Sequence, residues 1–167
     1  MRVWLHAELD PTPGVDLSGL AAWLAERGAP AIRTAGGSVH GLFRPEAGGA
    51  PALLTAWSDD ALAGAAIELL KASTRIVAVR GTPLHPLGAA PPEPGDAPWC
   101  FRRAVLAPGQ ALEARRGAFL GPRRPDGRAL LVHLGPEAEL PPLPPEAEVL
   151  ESVRATPVPL SEPPARS

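Results

Sequence analysis

The chain has 167 residues, a formal net charge of −2 and a single cysteine, Cys100. This length allows one substantial core, or a domain of about 90 residues with a smaller companion. A lone cysteine excludes an internal disulfide framework and a zinc site built from several thiolates, and it is typical of a reducing compartment.

The N-terminal stretch lacks the features of a targeting segment. It carries His6, Glu8 and Asp10, which interrupt the apolar core that a signal peptide needs. No uncharged apolar run in the chain approaches the ~18 residues required to cross a bilayer. We therefore expect a cytoplasmic protein that makes no membrane contact.

The first third of the chain predicts a strand, a helix and a glycine-interrupted extended region. Residues 2–9 alternate between two faces, which predicts a half-buried strand. A helix is expected next, capped by Asp16 and ended by Gly28. Residues 31–34 and 39–44 flank a turn with two glycines, which predicts a hairpin or one long strand with a break.

The stretch 57–80 predicts a helix that runs directly into a strand. Ser58 is placed to cap the helix, and the β-branched run 75–80 follows it. With a short apolar strand at 52–56, the element order becomes β-α-β-β-α-β. This order predicts a ferredoxin-like plait over residues 1–86, with two helices on one face of an antiparallel sheet. A true glycine hairpin would add an extra strand pair.

The second half predicts a linker, a small β unit and a tail. Six prolines lie within 83–98, and we interpret 87–98 as a proline-rich linker. The segment 99–154 is predicted to form a small antiparallel β unit, and 155–167 a disordered tail. Three strands are expected in this unit, at 99–106, 111–116 and 128–134.

The outer face of the predicted sheet carries the first candidate site. On the first strand, Trp4, His6 and Glu8 alternate with residues that would face the helices. An indole beside imidazole and guanidinium groups can stack on a planar ligand and pair with an anion. We predict a ligand site formed by Trp4, His6, His40 and Arg44. One of two alternating sets on the glycine-broken strand would join it, Val39 with Phe43 or His40 with Leu42 and Arg44.

The same face has a structural interpretation. A naked sheet face that bears a tryptophan would expose on the order of 150–250 Å² of indole, so such faces are usually covered. The cover could be a second subunit, which predicts a homo-oligomer, or the C-terminal β unit. Plain exposure to solvent is the third alternative.

Sequence motifs for catalysis are sparse. The four histidines lie far apart without metal-ligand spacing, and there is no Gly-x-Ser-x-Gly elbow or phosphate loop. We therefore expect no metal and no cofactor, and we assign no catalytic residue. An enzyme of the plait type would use His6, His40 or Glu8 as acid or base.

Residues 102–128 form a basic segment with seven arginines and two acidic residues. Arginines interleaved with aromatic rings are typical of single-stranded nucleic-acid binding. Adjacent arginines on a strand point to opposite faces, however, and the glutamates of the C-terminal region offer partners within the chain. The arginines concerned are Arg102, Arg103, Arg115, Arg116, Arg123, Arg124 and Arg128.

These patterns favour a non-catalytic binding or regulatory module that self-associates through its sheet and takes a small or anionic ligand. The first alternative is a binder of nucleic acid or of a phosphorylated ligand through residues 102–128. The second alternative is a small plait enzyme. The identity of the ligand is not encoded in any motif of the chain.

Overall fold

The first strand buries both of its faces. In the computed structural model, which describes residues 2–160, this strand, β1, spans Val3–Pro11. Leu5 and Leu9 belong to an apolar cluster that includes the helices, whereas Trp4 belongs to a second cluster on the opposite face. The predicted alternation is confirmed, but the strand is covered on two sides rather than on one.

One helical segment follows β1 and runs past the predicted stop. It consists of α1, Leu17–Trp23, a π-helical turn over Leu24–Gly28, and α2, Ala29–Thr34. Asp16 caps it, since its carboxylate accepts a 2.7 Å hydrogen bond from the backbone N–H of Gly19. The predicted strand at 31–34 is wrong, because Ile32 continues the buried stripe of the helix into the core.

The third helix, α3, spans Asp60–Lys71, and its cap is Asp59 rather than Ser58. The Asp59 carboxylate accepts a 2.9 Å hydrogen bond from the backbone N–H of Leu62. A carboxylate at this position also opposes the positive end of the helix dipole. The helix buries a small-residue face with Leu70 at its C-terminal end.

Seven further strands complete the fold, and all of their pairings are antiparallel. A 3₁₀ turn lies at Glu137–Glu139. The strands are β2 (Gly37–Pro45), β3 (Ala52–Trp57), β4 (Ile76–Pro86), β5 (Trp99–Val105), β6 (Ala118–Leu120), β7 (Leu130–Pro136) and β8 (Glu148–Val158).

The predicted fold, a ferredoxin-like βαββαβ plait followed by a small antiparallel β unit, is wrong. The strands form one closed barrel in the order β1-β3-β2-β8-β5-β7-β6-β4. Leu42 of β2 lies opposite Val158 of β8, and His85 of β4 lies opposite Leu120 of β6. The C-terminal strands thus close both edges that a four-stranded sheet would leave open. What remains of the expectation is the broad class, a mixture of helices and antiparallel strands.

The barrel wall separates two apolar layers. The helices pack on its outside, where Leu20 and Leu70 are fully buried. The inside is filled largely by aromatic side chains, among them Phe43, Trp99 and Phe119. Each fully buried side chain of this size contributes about 1.5–3 kcal/mol to folding.

The C-terminal half differs from its predicted boundaries in two places. Residues 111–116 are irregular, and the short strand β6 lies just after them. Residues 155–158 belong to β8, so they are not part of a tail, and the predicted disorder of 161–167 lies outside the described residues. Whether 1–86 and 99–154 fold as separate domains stays a prediction. Within residues 2–160, no helix is long and apolar enough to cross a membrane.

Candidate functional site

A continuous row of aromatic rings fills the barrel interior. The centroids of Trp4 and His40 are 4.7 Å apart, and those of His6 and Phe101 are 4.9 Å apart. Edge and tilted contacts of this kind add to the burial energy of the rings. From one end to the other the row contains Trp4, His40, Trp99, Phe43, Phe101 and His6.

A β-bulge directs His40 into this row. The pairing of β2 with β3 shifts between Val39 and Gly41, which leaves His40 as the extra residue. Val39 and Leu42 consequently pack on the helix side, while His40 and Phe43 face the interior. Neither of the two alternating sets predicted for this strand is correct, because each assumed an uninterrupted period of two.

His6 lies at one end of the row with an unused hydrogen-bonding atom. Its Nε2 is buried and has no hydrogen-bond partner among residues 2–160. The pKa of His6 is lowered to about 4, first by burial and then by the Arg103 guanidinium, while the Glu151 carboxylate opposes the shift. His6 is therefore neutral at physiological pH.

His6 lines a small, largely apolar cavity of about 50 Å³. Apolar side chains from six strands form most of its wall. Three charged side chains, Glu8, Arg103 and Glu151, line it as well. The apolar wall includes Ala52, Leu84, Phe101, Val132, Leu134 and Val153.

Ion pairs occupy the mouth of this cavity. Arg103 Nη2 lies 3.0 Å from a Glu151 carboxylate oxygen, and Arg80 Nε lies 3.0 Å from a Glu8 carboxylate oxygen. The side chains of Arg103 and Glu151 are 40% and 43% exposed. Exposed pairs of this kind contribute only about 0–1 kcal/mol, so the Arg103–Glu151 pair can separate at little cost.

His40 lies next to Trp4, near the other end of the row, and has a fixed tautomer. Its Nε2 is 2.9 Å from the carbonyl oxygen of Pro92, which can only accept a hydrogen bond, so Nε2 carries the proton and Nδ1 is the acceptor. Burial lowers the pKa of His40, while the bond to Pro92 and the nearby Glu93 carboxylate oppose that shift. His40 also lines an open groove of about 780 Å³ with Arg33 and Asp96.

The structure brings together three of the four residues predicted to bind a ligand. Trp4, His6 and His40 all face the interior, and the C-terminal strands of the same chain cover them. Arg44 is exposed and lines a different surface depression with Glu46, so it is not part of this group. Glu8 lines the cavity of His6 but is paired with Arg80.

The arginines of 102–128 do not form one surface. Arg102 and Arg103 point to opposite sides of β5, one toward His133 and the other toward the cavity mouth. Most of the others have partners within the chain. Arg115 pairs with Glu113, Arg124 and Arg128 pair with Asp126, Arg116 donates to the carbonyl of Ala90, and Arg123 is exposed.

Sequence reasoning missed the role of β5 in this site. Phe101 and Arg103 are spaced by two and face the interior together, a signal that the alternation of the strand contains. Glu151 carries no comparable signal, since its position depends on the pairing of β5 with β8. Within residues 2–160, no three histidine, cysteine or acidic side chains are grouped to hold a metal ion.

Comparison with known proteins assigns no family to the chain. No protein-family model and no curated protein matches the chain. A solved structure from Lactobacillus acidophilus NCFM, described as a putative monooxygenase, superposes with a TM-score of 0.46 at 12% sequence identity. The match covers 94% of this chain and 93% of the other. A likeness at this level carries no information about the activity of the present chain.

Proposed function

We propose that the protein is an enzyme that binds a small, largely apolar carbon acid inside the barrel and that His6 moves its proton. The observation that carries this proposal is the buried, unpartnered Nε2 of a neutral histidine in an apolar cavity. A buried polar atom without a partner is costly and rare, and it is found where a ligand or a reaction supplies the partner.

The proposed step is a proton transfer from carbon to nitrogen. The C–H bond of the substrate breaks, an N–H bond forms at Nε2 of His6, and the electron pair stays on the substrate as a stabilised anion. The guanidinium of Arg103 lines the same cavity and would stabilise that negative charge. The anion in turn favours the imidazolium form, which offsets the effect of burial on the pKa of His6.

Substrate entry requires the mouth to open. A cavity of about 50 Å³ is well below the ~150 Å³ that holds a benzene molecule in an engineered protein cavity. Separation of Arg103 from Glu151 would enlarge the space next to His6, because both side chains line it. The reacting group would then lie among the apolar walls, where water is excluded.

The test uses nitroethane, a small carbon acid, and the exchange of its α-hydrogens with D2O followed by proton NMR. Wild-type protein should accelerate this exchange above the buffer rate, and His6→Gln should abolish the acceleration. His85→Gln is the matched control, because His85 is an exposed histidine paired with Asp60. Exchange at the buffer rate with the wild type, or equal acceleration by His6→Gln, would contradict the proposal.

The other two interpretations have less support. Self-association through the sheet face loses its main argument, since the chain itself covers Trp4 and His6, although the oligomeric state stays open to measurement. Nucleic-acid binding through 102–128 is weakened by the carboxylate partners of Arg103, Arg115 and Arg128. Each pair would have to break before a phosphate could replace it.

A further inference from the structure

A second cavity, of about 230 Å³, lies on the opposite side of β5 and β7 from the barrel interior. It is bounded by the segment after β5 and by the proline-rich segment before β8. His133, which is only 3% exposed, contributes a polar group to its wall. The apolar part of the wall includes Leu106, Leu112, Leu131, Leu143 and Pro144.

Arg102 fixes the tautomer of His133. The Nη2 atom of Arg102 donates to Nδ1 of His133 across 2.6 Å, and it also donates to the carbonyl of Pro141. Because a guanidinium only donates, Nδ1 must be the unprotonated nitrogen, so the ring proton is on Nε2. The His133 ring therefore has one atom left for a ligand, and that atom is a donor.

The charge of Arg102 lacks a counter-ion. Its Nε is buried and without a hydrogen-bond partner, and no carboxylate of residues 2–160 forms an ion pair with it. A partly buried cation without an anion is unfavourable, and an anion nearby relieves that cost. Arg115 adds a second positive charge at the edge of the cavity, although Glu113 is already its partner.

We propose that this cavity binds an aliphatic monocarboxylate, with the carboxylate accepting from Nε2 of His133 and the alkyl chain among the leucines. A single donor backed by an arginine suits one carboxylate, and the remaining apolar wall suits a hydrocarbon chain. The site is separate from the cavity of His6 and does not depend on the function proposed for it.

The experiment is calorimetric titration of the full chain with octanoate, with octanol as the uncharged comparison. Octanoate should bind at least about tenfold more tightly than octanol, since only the carboxylate responds to Arg102 and the His133 donor. Equal affinity for the two compounds, or no binding of octanoate, overturns the proposal. This comparison requires no mutation and so does not depend on the folding of a variant.

A pair of surface variants locates the site. Leu112 is 45% exposed and lines the cavity, so Leu112→Asp should abolish octanoate binding without disturbing the core. Val77→Asp is the control, because Val77 is 64% exposed on β4 and does not line the cavity. Loss of binding in both variants, or in neither, would show that octanoate binds elsewhere. Nitroethane exchange should be unchanged in Leu112→Asp.

Discussion

His40 and Pro92 are joined by a 2.9 Å hydrogen bond from the imidazole Nε2 to the carbonyl oxygen. The bond attaches the proline-rich segment to the bulge of β2, at the end of the barrel opposite His6. Pro94 of the same segment lies so close to Gly41 that an added Cβ would be 2.8 Å from its Cγ. The segment is therefore a fitted part of the barrel wall as well as a connection.

Gly41→Ala should destabilise the protein by about 1–3 kcal/mol, because the added methyl group displaces Pro94 or the ring of Phe43. Gly64→Ala is the matched control. Gly64 lies within α3 with open space where a Cβ would be, and alanine there should stabilise by about 0.5–1 kcal/mol. Urea unfolding measures both changes. If Gly41→Ala left the free energy of unfolding unchanged, the proline-rich segment with Pro94 would have to move away from β2 without cost.

Arg103 and Glu151 should shift the pKa of His6 in opposite directions. Arg103 lowers that pKa, so Arg103→Gln should raise it, whereas Glu151 raises it, so Glu151→Gln should lower it further. The measurement is an NMR titration of the histidine ring signals in each variant. Shifts of the same sign in both variants would mean that rearrangement of the mouth, rather than charge, controls His6.

The protein should lose stability in mild acid. The pKa values of His6 and His133 are lowered from 6.5 to about 4 in the folded chain, so the unfolded chain binds protons more readily between these values. Stability therefore falls as pH drops through this range. Between neutral pH and about pH 4.5, His6 alone accounts for about 2–3 kcal/mol of the free energy of unfolding.

His6→Gln should remove that part of the pH dependence, while His85→Gln, which changes an exposed histidine, should retain it. Urea unfolding at the two pH values gives the difference for each variant. If wild type and His6→Gln lose the same free energy on acidification, then His6 is not held neutral by the fold.

Trp4→Ala should lower the free energy of unfolding by about 3–5 kcal/mol, because it opens a cavity inside the barrel. The indole of Trp4 contacts His40 at 4.7 Å and Phe119 at 5.7 Å between ring centroids, so β2 and β6 should lose hydrogen-exchange protection first. Trp23→Ala is the control, since Trp23 is only partly buried on α1 and its loss should cost less. An equal loss of unfolding free energy in Trp4→Ala and Trp23→Ala would indicate that the aromatic row is loosely packed.

The alternation of β1 was enough to predict that Trp4 and His6 share a face, and cover of this face by the C-terminal part of the chain was one of the alternatives left open. The barrel itself could not be predicted, because the pairing of Leu42 with Val158 joins residues from opposite ends of the chain. Periodicity states which side chains share a face, and it does not state which strands are neighbours.

The prediction for Arg44 failed for a local reason. Counting in steps of two from His40 places Arg44 inside, but the bulge at His40 reverses the faces of every later residue on β2. The prediction of a strand at 31–34 failed because Gly28, taken as a stop, has a φ of −65° and continues the helix. No short-range sequence pattern distinguishes a bulged strand from a regular one at His40, or a continued helix from a helix stop at Gly28.

The barrel closes through a narrow seam between β4 and β6. The strand β6 has three residues and forms two residue pairs with β4, in one of which Pro86 has no N–H to donate. Two further backbone hydrogen bonds, from Leu87 N–H to the carbonyl of Ala118 and from Gly117 N–H to the carbonyl of Ala89, continue this junction past the end of β4. Separating the two strands would break few hydrogen bonds while exposing Phe119 and then Trp4 from the side. Local opening of this seam would let water reach the Trp4 end of the aromatic row without unfolding of the other strands, at a place separate from the cavity of His6.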